Sequence, residues 1–340
     1  VAGFSRYSRQ LSPGPAGRKR RNNHFEVPFA SLRALARPEA FQQPIRQKIS
    51  DWLGVTHRQA KLKRLEPKRA ELDDGSSIEF DYGVVAAGST IRGFERLKPT
   101  EPTTLSEREQ EWHEGHTALE NAGRVAIIGG GPIGVELAGE ILDAYPQKQV
   151  TLIHGTERLL PALSEKASKK AQKLLEQMGA TVILREMVDL SKVTDRSVPL
   201  GNGSTLDVDL VYTALGPKAD AAFARESLPS AMNDQGQLKV TEHLNVNGTD
   251  SLFAIGDITD TREIKLGALA AKHAGVVAQN IVSRESGKKL KPYKPTSGPM
   301  GFITIGRKKG IGQLPFGRMD FMIAMKQKDM FVSRFLAPPK

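Results

Sequence analysis

The stretch of the chain with the clearest chemical content is Gly129-Gly130-Gly131-Pro132-Ile133-Gly134, which runs on into Val135-Glu136-Leu137-Ala138-Gly139-Glu140. The Gly-x-Gly-x-x-Gly spacing directly follows an apolar run, Arg124 to Ile128, and directly opens a helix-forming one. In that context the pattern binds a dinucleotide rather than merely turning the chain. Gly129 permits the tight turn, Gly131 lets the backbone approach a pyrophosphate, and Gly134 lets helix and strand pack closely. The phosphates then sit on a helix N-terminus, where free N–H groups and the dipole favour negative charge.

The choice between NADH and NADPH is read at the end of the next strand, where an NAD-specific site offers a carboxylate to the ribose 2′-hydroxyl. Here Val150-Thr151-Leu152-Ile153 ends in His154-Gly155, with Glu157 and Arg158 just beyond. No acid stands at the expected place, which removes repulsion against a 2′-phosphate, and Arg158 is placed to pair with one. Use of both NADH and NADPH is therefore expected, with a plain surface charge as the other reading of Arg158. Glu136, one turn into the helix, is a candidate for steering the nicotinamide amide or relaying a proton, against the reading of a helix-surface glutamate.

Other constellations are weaker. His154 and His273 have no second ligand at metal spacing, and His113 with His116 are too few for a site, so no metal is expected. The chain contains no cysteine, which excludes disulfide reduction, iron–sulfur clusters and Cys-ligated zinc. Redox chemistry must belong to a cofactor.

The elements that position the glycine loop read as strand Arg124 to Ile128, helix about Ile133 to Ala144, strand Gln149 to Ile153, helix about Glu165 to Met178 and strand Thr181 to Leu184. That alternation is the parallel doubly wound plan. Upstream, Asp73-Asp74-Gly75 joins Arg69 to Leu72 and Ser77 to Phe80 as a hairpin, and residues 97–122 form a polar, helix-prone connector. Two further strands end in a small residue, a variable one and glycine: Asp81 to Ser89, through Ala87 and Gly88, and Asp209 to Pro217, through Gly216. A third, Ser251 to Ile255, runs into Gly256-Asp257 ahead of a helix-like Leu266 to Ile281.

The net charge is +11, unevenly placed. Residues 1–23 carry six basic residues and no acid, and residues 284–340 carry thirteen basic against three acidic, which leaves −5 for the body between. That pattern argues against a nucleic-acid groove across the fold. It suits a tail on an anionic membrane surface, with a solvated basic surface as the alternative. Residues 1–23, rich in Ser, Arg, Pro and Gly, read as disordered; an acid-free, Arg-rich start also fits an organelle transit peptide. Apart from that possibility the expected location is cytoplasmic, membrane-associated through the tail.

The four strand-end segments in this order resemble the two-dinucleotide-domain flavoprotein reductases. The likeness narrows to the ferroptosis-suppressor, or AIF-like mitochondrion-associated, family of NAD(P)H:quinone oxidoreductases, nearest its plant-type members. It rests on Phe25 to Ala34, Val150 to His154, Phe253 to Asp260, Ile305 to Gly310 and Lys326 to Val332. The resemblance implies an α/β fold of two doubly wound sheets with a small C-terminal α+β region. The corresponding domains are 24–121 plus 246–290 for FAD, 122–245 for NAD(P)H, and 291–340 facing quinone and membrane. By the same likeness Arg33, the backbone at Ala60, the Ala87-Gly88 turn and Gly256-Asp257 hold FAD. Gly129, Gly131, Gly134, Glu136 and Gly216 meet NAD(P)H, and Lys326 and Phe331 lie nearest the flavin at the quinone mouth.

One departure stands out. Such proteins open with their own strand, glycine fingerprint and helix for the FAD pyrophosphate, whereas residues 1–23 contain only Gly3, Gly14 and Gly17. The first domain is therefore expected to be incomplete. The runner-up function is a degenerate, non-enzymatic dinucleotide-binding protein that has lost FAD.

Overall fold

The structure, a computed structural model, describes residues 3–4, 24–41, 45–48, 56, 58–91, 93–94, 97 and 104–336. The chain divides into two compact units. One comprises residues 1–20, 58–90 and 217–297; the other comprises 21–57, 91–216 and 298–340. These packing units cut the chain differently from the domains expected above, since residues 21–57 and 298–340 join the unit that contains the glycine loop.

The larger unit is built on a four-stranded parallel sheet in the order Thr181–Leu184, Gln149–His154, Arg124–Ile128, Leu210–Thr213. The central strand is buried from Val125 to Ile128, as a strand covered on both faces must be. Helix Pro132–Ala144 follows it, with Pro132 in its first turn, where a missing N–H costs nothing. This helix buries every residue from Gly134 to Leu142, and each large apolar side chain among them contributes roughly 1.5–3 kcal/mol. Helix Glu165–Gln177 starts on a Ser164 cap and stops before Gly179, whose φ of +98° is the left-handed exit a helix favours.

The polar connector is helical over Leu105–Asn121. Thr104 and Glu107 form a reciprocal capping box, and Arg108, Trp112 and Leu119 are buried. A three-stranded antiparallel sheet, Gly301–Ile305, Lys309–Leu314 and Gly317–Arg318, precedes the short helices Ile323–Asp329 and Val332–Leu336. Gly139 lets the nucleotide helix lie directly on this sheet, because a Cβ there would sit 2.8 Å from the Ile305 Cα.

The smaller unit holds the expected hairpin, Arg69–Leu72 with Ser77–Glu79, extended by Leu62–Glu66. It also holds a sheet in the order Gly3–Phe4, Gly83–Val85, Leu252–Ala254. Leu252–Ala254 pairs in parallel with Gly83–Val85, and Gly3–Phe4 pairs antiparallel on its other side. Gly3 and Phe4 thus form a short strand inside a segment whose composition predicts disorder; two ladder-paired residues need no apolar periodicity to be recruited by an open edge. The rest of that segment lies outside the described residues. Helix Gly267–Glu285 completes the unit.

Candidate nucleotide and electron-transfer site

Each glycine of the fingerprint has a separate geometric reason to be glycine. Gly129 has φ +119°, and a Cβ there would sit 2.4 Å from the Ala214 carbonyl oxygen. A Cβ on Gly134 would sit 1.8 Å from the Gly129 carbonyl oxygen, so helix and loop touch backbone to backbone. Gly131 is the opposite case, since a Cβ there meets nothing within 4 Å. It also caps the helix without a side chain. The loop therefore keeps an open face at a helix N-terminus, and it fits a dinucleotide pyrophosphate. Gly216, exposed beyond the neighbouring strand, likewise faces open space.

At the ribose end, His154 Nδ1 accepts the Gly130 N–H at 3.0 Å, and its Nε2 lies 2.9 Å from Thr156 Oγ1. Burial pushes the His154 imidazole below its ordinary pKa. The Arg158 guanidinium donates to the carbonyls of Leu163 (2.8 Å) and Pro161 (2.7 Å) in its own loop. A 2′-phosphate would have to share it with those carbonyls. Glu157 is exposed and lies 3.9 Å from Arg185.

Three acids follow one another on the nucleotide helix at four- and three-residue steps, which places them on one face. Glu136 is buried, not a surface residue. Its Oε1 accepts from the Thr304 N–H (3.0 Å), the Thr304 hydroxyl (3.1 Å) and Lys326 Nζ. Lys326 is itself buried and donates also to the Phe302 carbonyl at 2.9 Å. Glu140 takes Arg33 through Nε to both oxygens (3.1 Å each) and Nη2 to Oε1 (2.9 Å). Burial pushes the Glu140 carboxyl up, and the Arg33 guanidinium pulls it down without cancelling the effect. Asp143 receives Arg37 at 3.2 Å and Arg307 at 2.8 Å. Arg33 is thus held by Glu140 and, through Nη1, by the Gln327 carbonyl at 3.1 Å.

The structure brings Glu136 and Lys326 together across 190 residues of sequence. Phe331 follows on a chain reversal: Met330 and Phe331 both adopt left-handed backbone, at φ +52° and +60°. Two successive non-glycine residues there store on the order of 1–2 kcal/mol each. Met330 is anchored in a small core with Val27, Ala30, Ile45 and Val332, which holds the reversal in place.

In the smaller unit, Gly88 turns at φ +68° with open space around it, and Ala87 precedes it. Ser89 donates to Asp257 Oδ2 at 2.6 Å. Gly256 turns at φ +74°, and its N–H goes to His273 Nδ1 at 3.1 Å. His273 Nε2 reaches Glu263 at 2.7 Å, and Glu263 also accepts from Tyr293 (2.8 Å) and the Thr296 N–H (2.8 Å). Ala60, partly exposed, lies just before strand Leu62–Glu66. The Gly256-Asp257 turn fits the ribityl side of FAD. For its pyrophosphate the sequence offers no second glycine fingerprint.

Sequence reasoning found the glycines, Glu136 and Lys326, but not Thr304, Glu140 as the partner of Arg33, or the two histidine acceptors. The signal that could have found them is the four-residue spacing of Glu136 and Glu140 in an apolar helix, because a buried carboxylate needs a partner.

Residues 19–274 match the pyridine nucleotide-disulphide oxidoreductase family. The chain is 31% identical to ferroptosis suppressor protein 1 of Taeniopygia guttata over 91% of its length and 85% of that protein. It is 28% identical to apoptosis-inducing factor homolog B of Dictyostelium discoideum, over 80% of the chain and 77% of that relative. Among solved structures, the ferredoxin reductase for the CYP199A2 system of Rhodopseudomonas palustris aligns with a TM-score of 0.67 at 17% identity. It covers 86% of the chain and 73% of its own, a likeness of fold, and that fold is the two-dinucleotide-domain reductase architecture.

Proposed function

The chain belongs to the pyridine nucleotide-disulphide oxidoreductase family and to its ferroptosis-suppressor and AIF-like members, and from that premise we propose that its electron acceptor is a quinone. It is a flavin-dependent oxidoreductase whose cofactors are FAD and NAD(P)H. When bound, FAD supplies the relay between a two-electron hydride donor and the acceptor. With no cysteine in the chain, a dithiol acceptor of its own is excluded.

The observation that carries the quinone reading is the buried Glu136–Lys326 pair beside the nucleotide loop. The glycine loop binds the pyrophosphate, and Glu136 orients what lies one helical turn further in. Lys326, held by Glu136 and the Phe302 carbonyl, keeps a fixed positive charge where a reducing quinone gathers negative charge. The Thr304 hydroxyl and Lys326 ammonium on one carboxylate oxygen form a short path for a proton.

A greasy acceptor and a membrane location go together, and the C-terminal region carries Phe316, Phe321 and Met325 exposed within ten residues. Exposed Arg318 lies among them in sequence, and exposed Lys328 follows three residues after Met325. Buried Lys326 is not among the lysines that can meet lipid headgroups. Among the described residues no helix is long and apolar enough to cross a membrane.

The test is steady-state NADH oxidation with a short-tailed quinone, followed by a long-tailed quinone in anionic liposomes. Quinone-dependent turnover is expected, with liposome binding lowered by Phe316→Ser and Phe321→Ser. Electron transfer to a soluble dye but to no quinone would overturn the acceptor assignment.

A further inference from the structure

The strand that leads to the ribose end stops at a histidine where a carboxylate is usual, and that histidine hydrogen-bonds the phosphate loop rather than pointing to solvent. We propose that His154 is a positioning residue for the dinucleotide: by accepting the Gly130 N–H it sets the peptide planes of the loop that receives the phosphates.

The hydrogen-bond chain fixes its own protonation pattern. To accept from Gly130, Nδ1 must be bare, so the neutral ring carries its hydrogen on Nε2 and donates it to Thr156 Oγ1. The Thr156 hydroxyl in turn donates to the Arg158 carbonyl at 3.2 Å. The same segment grips the other side of Gly130, because the Leu160 N–H donates to the Gly130 carbonyl at 2.8 Å. Both peptide planes that flank Gly130 are therefore tied to residues 154–160.

The geometry of a planar trans peptide does the rest. With the Gly130 carbonyl turned to Leu160, the Gly131 N–H on the opposite edge of that plane points the other way. That is the edge at Gly131, where a Cβ would meet nothing within 4 Å. Loss of the histidine acceptor frees the first plane to rotate and loosens the second.

A protonated imidazole would present an N–H to the Gly130 N–H, so the bond exists only with the neutral ring. Charged residues around it are committed elsewhere. The Glu186 carboxylate accepts from the Gly201 N–H (2.7 Å) while its own N–H meets the His154 carbonyl (3.0 Å). Arg158 is bonded to Leu163 and Pro161, and Glu157 faces Arg185. Gly129 to Ile133 and the paired residues Thr181 to Leu184 bring no charge. Burial alone lowers the imidazole, so the neutral form prevails at neutral pH.

The inference needs nucleotide binding by the Gly129–Gly134 loop and does not depend on the acceptor, so failure of the quinone reading leaves it standing. The experiment is calorimetric titration of the full chain with NAD⁺ at about pH 8, where the neutral ring prevails. His154→Asn, whose Oδ1 takes the place of Nδ1, should bind within about threefold of wild type, and His154→Leu roughly tenfold more weakly. Full affinity in His154→Leu, or an equal loss in both variants, overturns the proposal. If His154→Leu fails to fold, amide hydrogen exchange decides: the Gly130 N–H should be protected in wild type and in His154→Asn, and rapid exchange of it in wild type overturns the proposal.

Discussion

The two glycine turns of this protein use the same device in different electrostatic settings. In the larger unit Gly130 donates its N–H to His154, which passes its own hydrogen to a neutral threonine. In the smaller one Gly256 donates to His273, which faces the buried carboxylate of Glu263. The first turn opens a thirteen-residue helix with an uncapped N-terminus and attracts anions through its backbone. The second opens only a three-residue 3-10 turn, Gly256–Ile258, and presents the Asp257 side chain. A helix N-terminus takes phosphate, while a carboxylate takes hydroxyls. The difference explains why one turn fits a pyrophosphate and the other fits only the sugar-alcohol side of a cofactor.

Breaking the larger unit's buried pairs should have the greatest effect. Arg33→Ala leaves Glu140 buried without its cation and should cost about 3–5 kcal/mol in urea unfolding, whereas replacing both partners with apolar residues should recover much of that loss. Gly134→Ala and Gly131→Val sharpen the contrast within the fingerprint. The first forces a Cβ against the Gly129 carbonyl and should destabilise by about 1–3 kcal/mol or more. The second points into open space, so unfolding should stay near wild type while calorimetry shows no NADH binding.

The smaller unit's network responds to pH. Burial lowers the His273 imidazole, against an opposing pull from Glu263. Above the ordinary histidine value of about 6.5 both folded and unfolded forms are neutral and the term vanishes. As pH falls below it the unfolded chain takes up the proton first, so stability is lost until the lower, folded pKa is passed. His273→Asn should flatten that acid slope in melting curves. The smallest expected effect is at Arg158, where alanine should weaken NADPH more than NADH by no more than about tenfold, because the guanidinium is already bonded to two carbonyls. Equal losses for both nucleotides would assign Arg158 to the loop alone.

What was legible in the sequence was local. Strand Arg124–Ile128 and helix Pro132–Ala144 agree with their expected bounds to within a residue, because glycine spacing, Pro132 and apolar periodicity all act over a few residues. The Asp73-Asp74-Gly75 hairpin is the same kind of case, with Gly75 at φ +80°. The partners of buried charges were not legible. Arg33 meets Glu140 across 107 residues, and nothing in either neighbourhood names the other. From the sequence His154 shows only that it lacks a second ligand at metal spacing; that it accepts from Gly130 follows once the parallel sheet sets the end of Gln149–His154 beside the loop. The left-handed pair Met330-Phe331 carries no glycine to announce it, since packing of Met330 against Val27 and Ile45 imposes it.

Electron delivery from the Gly129–Gly134 nucleotide site to a flavin can be followed by colour. Its most direct test is an anaerobic titration of the purified protein with NADH, followed by flavin absorbance and repeated on Gly131→Val. A yellow protein bleached by NADH is expected, with bleaching lost in the variant while the yellow colour remains. A colourless protein that takes up no added FAD yet still binds NADH would contradict it.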